Sequence, residues 1–306
     1  MPRPEPHILV TGATGAQGGA AARELLGAGF RVRILTRTPD GPAARALAGC
    51  GAGIAKGDMG DMASLIAAME GIYGVFSVQQ PDPDGSDAER RHGFALVEAA
   101  RQTGVRHFVH ASVCEAGRHT GFPGWESGYW YQKYWTDKWD IEEAVRNAGF
   151  LHWTVLKPAF LMDNFAQPKA QRMFPHLRAG RIVSALLPET RMQMIAADDV
   201  GAFARAAIAD PMRFDRQNID LAAETLTMFE VASVLREQLH KRVRAESVSP
   251  GDARAAGLFP GWVRSQEWTN EIGYRADISA LNSYGLPLTS FRQWVVRHAS
   301  EIVIDV

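Results

Sequence analysis

The stretch that most constrains this chain is Val10-Thr11-Gly12-Ala13-Thr14-Gly15-Ala16-Gln17-Gly18-Gly19. An apolar run, His7-Ile8-Leu9-Val10, precedes it, and a helix-forming run over residues 20–26 follows. Strand, glycine turn and helix in that order give the spacing G-x-x-G-x-x-G a meaning. Glycine at positions 12, 15 and 18 lets the backbone turn sharply and approach a pyrophosphate with no side chain in the way. The helix that follows offers its free N–H groups and positive dipole end to the same anion. The reading is a dinucleotide site, with Gly12, Thr14, Gly15, Gln17 and Gly18 as its first contacts.

The chain after this turn alternates apolar runs with helical patterns. Strands are expected over 30–36, 53–56, 74–78, 106–111 and 151–156, and helices over 42–48, 61–69, 88–103 and 131–147. That rhythm implies right-handed βαβ units and a parallel sheet. It changes after Lys157-Pro158, where prolines punctuate the sequence. Helices are expected over 197–209, 228–239 and 288–299, and strands over 218–221 and 242–248. The expected fold is α/β, a Rossmann-type doubly wound parallel sheet over 1–157, with a smaller, interleaved α+β subdomain over 158–306 on the substrate side.

Composition narrows the classes of function. The 306 residues are 46% hydrophobic and 22% charged, with a net charge of −1 and no long basic run, which argues against direct nucleic-acid binding. No stretch approaches the ~20 apolar residues that span a bilayer, and the N-terminus does not read as a signal peptide. Two cysteines, Cys50 and Cys114, do not make a disulfide scaffold. A cytoplasmic protein is the expectation. The pair His107/His110 alternates across a strand, and Asp82, Asp84 and Asp87 lack the glycine and glutamate of a calcium loop, so no metal is expected. Cys114 reads as a buried structural thiol.

The second strand ends Leu35-Thr36-Arg37-Thr38, with an arginine where a carboxylate would meet the ribose of NAD. A guanidinium suits a 2′-phosphate in geometry and charge, so NADP (NADPH) is the expected cofactor. Asp58, followed by Met59, closes the third strand and is placed either at the adenine or as a turn aspartate. Val78 and Gln79 follow at the edge where the cofactor crosses the sheet, with backbone contacts expected to outweigh side-chain chemistry.

Ser112 follows the fifth strand at its carboxyl edge. A Tyr and a Lys four apart on a helix share a face, and the spacing occurs twice, as Tyr129/Lys133 and Tyr134/Lys138. Tyr134, Lys138, Ile141 and Val145 fall on one stripe, which favours the second pair. In this set Tyr134 is the acid, Lys138 lowers its pKa by charge proximity, and Ser112 orients the substrate oxygen. Trp125, Trp130, Trp135, Trp139 and Trp153 are mainly packing, with some suited to a flat apolar substrate.

The glycine segment Thr11–Gly18, the run 138–145, the stretch Lys157-Pro158-Ala159-Phe160-Leu161-Met162-Asp163-Asn164-Phe165 and Gly257-Leu258-Phe259-Pro260-Gly261 together resemble the NmrA-like family, atypical short-chain dehydrogenases/reductases, in the manner of its HSCARG-like NADPH-sensor branch. The resemblance implies a Rossmann domain with NADP bound and a smaller C-terminal domain. It implies a retained lysine at Lys138, and a segment beside the nicotinamide at Pro158–Asn164. There Phe160 and Asn164 are either cofactor contacts or a core aromatic and a turn residue. Some members are redox-sensing regulators and others reduce quinones, dyes or related substrates. Tyr134 stands where the sensor branch commonly has His, which restores a Ser112–Tyr134–Lys138 set. Two functions follow as expectations. One is an NADP-dependent oxidoreductase passing hydride from NADPH to a carbonyl, quinone-like or conjugated acceptor. The other is a non-enzymatic NADPH sensor acting through a regulatory protein partner.

Overall fold

The computed structural model describes residues 6–81 and 85–306. Asp82 and Asp84 of the discounted calcium loop, and the first five residues of the N-terminus, lie outside the described residues. The first half runs β1 (His7–Val10), α1 (Ala16–Gly27), β2 (Arg31–Thr36), α2 (Pro42–Gly49), β3 (Gly53–Lys56), α3 (Met62–Met69), β4 (Gly74–Val78), α4 (Ala88–Gln102), β5 (His107–Ala111), α5 (Gln132–Asn147) and β6 (His152–Pro158). The second half runs β7 (Phe160–Leu161), α6 (Ala170–Met173), β8 (Arg181–Ser184), β9 (Met192–Ile195), α7 (Ala197–Ala209), α8 (Pro211–Phe214), β10 (Gln217–Leu221), β11 (Glu224–Leu226), α9 (Met228–Leu239), β12 (Arg244–Ser247), α10 (Pro250–Ala255), α11 (Pro260–Glu271), α12 (Ile278–Leu281) and α13 (Phe291–Arg297).

Two compact units divide the chain. The first comprises 1–117, 133–157 and 197–220, and the second 118–132, 158–196 and 221–306. Both units are interleaved in the sequence, and one of the breaks between them falls at 157/158. Residues 197–220 return to the first unit, because α7 packs along α1 and β10 extends the sheet beside β6. Residues 118–132 belong to the second unit.

The first unit is built on a seven-stranded sheet of order β10-β6-β5-β4-β1-β2-β3. The neighbours β3/β2, β2/β1, β1/β4, β4/β5 and β5/β6 all run parallel. The order reverses between β1 and β4, the topological switch point where α/β sheets bind ligands at their carboxyl edge. The strands form where the apolar runs lie: β4 and β5 are buried at every position, as both faces are covered. Leu9, Val75, Phe108, Leu65, Leu96 and Val145 meet in one core cluster, so the Val145 stripe of α5 packs on the sheet as its period requires. On α1 and α7 the fit depends on small residues: a Cβ at Gly201 would come within 2.7 Å of the Ala20 backbone.

The second unit carries a three-stranded sheet, β11-β9-β7, and a two-stranded sheet, β12-β8. Its core is aromatic. Phe160 stacks on Trp262 at 5.2 Å, Phe165 stacks on Phe174 at 4.2 Å, and Phe291 stacks on Trp294 at 5.7 Å. Helix α9 opens with a reciprocal capping box between Thr227 and Glu230.

His107 and His110 are both buried on β5. Burial pushes His107 down to about 4, with His152 adding to the effect. Burial pushes His110 down to about 3, with the Lys138 charge adding to it. Both rings are therefore neutral in the folded chain. Below 6.5, the ordinary histidine value, the unfolded chain takes up protons that the folded one refuses, so stability falls as pH drops from 6.5 toward about 4. Each group adds a slope of up to ~1.4 kcal/mol per pH unit. The melting temperature is expected to decline between pH 6.5 and 5, above the range in which carboxylates protonate. A flat profile over that interval would refute this assignment.

Candidate functional site

The site is built at the carboxyl ends of β1, β2, β3 and β4. Thr11 leaves β1, and its side-chain oxygen accepts the N–H of Val78 at 3.0 Å, tying the β1 and β4 ends together. Gly12 then adopts φ +60, and a Cβ there would strike Val78 Cγ1 at 2.6 Å. Gly18 is tighter still: its Cβ would lie 2.4 Å from the carbonyl carbon and oxygen of Gly12 and 2.5 Å from the Thr11 oxygen. These glycines set the first turn of α1 directly against the strand end.

Gly15 is the N-cap of α1, and no side chain caps the helix. The first-turn N–H groups are left for an external acceptor. Thr14 is exposed at the turn. Gln17 is half-buried, with its Oε1 shielded from solvent and lacking a hydrogen-bond partner.

At the end of β2 the Arg37 side chain is 80% exposed, and its guanidinium lies 3.9 Å from Asp58 Oδ2. Asp58 is fixed by its own turn: Oδ1 accepts the Gly60 N–H at 2.7 Å, and its N–H donates to Ser64 Oγ at 3.0 Å. Met59 is half-buried against the α3/α4 core. Arg33, earlier on β2, is spent on the carbonyls of Ala68 and Glu70.

Past β4, Gln79 is buried and its Nε2 donates to Ser77 Oγ at 2.9 Å. Its Oε1 has no hydrogen-bond partner. Its carbonyl oxygen lies 3.5 Å from Lys138 Nζ. Ser77 Oγ is 3.2 Å from His110 Nδ1. The other ring nitrogen of His110, Nε2, is buried with no hydrogen-bond partner among the described residues.

Lys138 is held in a buried ion pair. Its Nζ sits 2.6 Å from Glu89 Oε1, with the two side chains 8% and 2% exposed. Glu89 enters from the first turn of α4 and escapes sequence reading, since Ala88-Glu89-Arg90-Arg91-His92 looks like an exposed helix start. Tyr134 is half-buried one turn before Lys138, which stands 6.0 Å from its ring centre. The expectation that Lys138 lowers the Tyr134 pKa is not met. Burial pushes the phenol up, and the Glu89 charge pushes it further. A lysine whose charge is matched at 2.6 Å has little field left to stabilise a tyrosinate.

Ser112 is buried after β5, and its hydroxyl donates to Glu142 Oε1 at 2.6 Å. A serine has one proton to give, and this one is committed to a carboxylate. Glu142 itself lies between Arg146 at 2.7 Å and Lys157 at 3.2 Å, and burial raises its pKa against their pull. The geometry therefore joins Lys138 and Tyr134 with Glu89 and Gln79, and joins Ser112 with Glu142. The alternative pair is dispersed: Tyr129 precedes α5 and donates to Glu267 at 3.1 Å, and Lys133 pairs with Asp137 at 2.5 Å.

Pro158 ends β6, and Phe160 and Asn164 belong to the second unit. Phe160 is a core aromatic there, with its ring on Trp262. Asn164 is half-buried in a short 3₁₀ turn. Cys114 is fully buried. Among the described residues no group of three His, Cys, Asp or Glu converges on a metal-sized position, and no helix is long and apolar enough to cross a membrane.

The sequence profile of the NmrA-like family matches residues 4–280. The chain belongs to the NmrA-like family. This NmrA-like chain is 31% identical over 301 residues to the (4-alkanoyl-5-oxo-2,5-dihydrofuran-3-yl)methyl phosphate reductase of Streptomyces griseus, over 95% of the chain and 98% of the relative. It superposes with a TM-score of 0.75 on an NADPH-dependent quinone oxidoreductase of Escherichia coli solved with NADPH, at 21% identity over 95% and 99% of the two chains. It matches NmrA, a negative transcriptional regulator solved with NADP, with a TM-score of 0.74 at 17% identity over 98% and 97%. The two structural likenesses are likenesses of fold.

Proposed function

We propose that this protein is an NADPH-dependent oxidoreductase whose acceptor is a conjugated carbonyl or quinone-like compound. The observation that carries the cofactor assignment is the uncapped start of α1 behind a tight glycine turn, at the same sheet edge as an arginine left 80% exposed at the end of β2. Gly12, Thr14, Gly15, Gln17 and Gly18 would hold the pyrophosphate and Arg37 the 2′-phosphate. Asp58 and Met59 would border the adenine. Val78, Gln79 and Lys138 would serve the nicotinamide half, where the orphaned Gln79 Oε1 is an acceptor suited to a ribose hydroxyl. The bound nicotinamide supplies hydride chemistry.

The state of Tyr134 supports the acceptor class. A phenol that keeps its proton offers a hydrogen bond to an oxygen as charge builds on it. This suffices where delocalisation already stabilises the reduced product, as in a quinone or an unsaturated lactone. A simple ketone would leave an alkoxide that needs full proton transfer. The Streptomyces relative, named as a reductase of such a dihydrofuranone, supports the same class. One rival reading, an NADPH-responsive regulator acting through a partner protein, is favoured by the engagement of Ser112 with Glu142.

Titration with NADPH and NADH tests the cofactor assignment. NADPH is expected to bind at least about tenfold tighter, the value of one charge-assisted contact of ~1.5–3 kcal/mol. Arg37→Ala should narrow that gap while leaving NADH affinity within a factor of about two. Equal affinities in the unmodified protein would refute it.

A further inference from the structure

Lys138 and Glu89 form a buried ion pair on elements the sequence does not bring together, and the Tyr134 phenol stands beside it. Glu89 lies on α4, Lys138 and Tyr134 on α5, and both charged side chains are at least nine-tenths buried. Tyr134 makes no hydrogen bond among the described residues. His110, on β5, is within reach of the Lys138 charge and is neutral, and the Gln79 carbonyl lies 3.5 Å from the ammonium.

We propose that Glu89 is a positioning residue that neutralises Lys138 and so holds Tyr134 as a permanently protonated hydrogen-bond donor, making the site one that reduces conjugated acceptors and does not oxidise simple alcohols. This rests on the oxidoreductase reading above. In the forward direction the acceptor gains hydride at carbon, and the electron pair of its broken π bond moves to its oxygen. That oxygen takes one proton from solvent, while the Tyr134 O–H bonds to it without leaving. Oxidation of a simple alcohol makes a different demand, because it removes the hydroxyl proton as hydride leaves the carbon and needs a base at that position. A tyrosinate would serve, but a lysine already paired with Glu89 does not create one. Burial and the Glu89 charge both act against it.

The geometry makes Glu89 act through Lys138 and Tyr134. Glu89→Gln frees the ammonium while keeping the shape of the side chain. Glu89→Asp keeps the charge.

The test is tyrosinate absorbance near 295 nm during alkaline titration, taken as the difference between the protein and its Tyr134→Phe variant with no cofactor present. The proposal expects no Tyr134 step up to pH 10.5 in the otherwise unmodified protein and in Glu89→Asp. It expects a step below pH 10 in Glu89→Gln, together with alcohol oxidation at least tenfold above the parent. A step below pH 10 in the parent protein overturns the proposal, and that measurement does not depend on Glu89→Gln folding. A folded Glu89→Gln with no step also overturns it. Because the titration needs no nucleotide, failure of NADPH to bind would sink the oxidoreductase reading and leave this result separately legible.

Discussion

Gly18→Ala is expected to unsettle the fold and abolish efficient cofactor use together. The added Cβ would fall 2.4 Å from the Gly12 carbonyl and 2.5 Å from the Thr11 oxygen. These are backbone atoms of a turn that Thr11 ties to β4, so neither can swing aside as a flexible side chain would. Overpacking of this kind costs about 1–3 kcal/mol, and more where nothing yields. Relief comes by lifting the first turn of α1 off the strand, which moves the very N–H groups proposed to meet the pyrophosphate. A displacement of ~1 Å at a positioning element costs on the order of 100-fold in turnover. Gly27→Ala, at the other end of α1, is the contrast, since nothing lies within 4 Å of its added Cβ. That change should be neutral or stabilising by up to about 1 kcal/mol. Thermal unfolding and NADPH titration of both variants decide the matter. A Gly18→Ala protein that melts and binds like the parent would show that the strand and helix can separate without consequence.

Lys138→Met should produce the other large effect. Removing the ammonium leaves the Glu89 carboxylate 2% exposed with its partner gone. Breaking a buried pair from one side costs about 3–5 kcal/mol, because the remaining charge stays out of water. The double variant Glu89→Leu/Lys138→Met removes both charges and should recover most of that stability, since apolar replacement of a buried pair is often neutral. It should not recover NADPH turnover, because Lys138 is proposed to serve the nicotinamide half. Equal unfolding free energies for the single and double variants would mean that the pair is solvated and contributes little.

Much of the first unit was legible in the sequence. The strand at 74–78 falls at the residues expected, because a doubly covered parallel strand reads as a short apolar run between turn residues; the strand at 53–56 also falls where expected, as a mostly exposed strand at the sheet edge. Ser112 was found at the strand end, but its hydrogen bond to Glu142 was invisible, since the pair is brought together only when α5 lies beside β5. Glu89 was missed for the same reason, hidden in a stretch whose arginines and histidine suggest a solvated helix. Short strands such as β7 and β11 carry too few residues to show a period of two. Helix α11, which carries Trp262 and Trp268, is absent from the expected elements. Residues 197–220 were assigned to the second half because chain order suggested it. Their contact with α1 depends on the small face of Ala20, Ala21 and Gly201, a fit with no periodic signature.

The measurement that bears most directly on the account is the oxidation of NADPH, followed at 340 nm, with a panel of quinones and unsaturated lactones beside simple ketones. Turnover is expected with the conjugated acceptors, none above background with the ketones, and a loss of turnover in Lys138→Met. NADPH that binds tightly but is not consumed with any acceptor would contradict it and leave the regulator as the standing explanation.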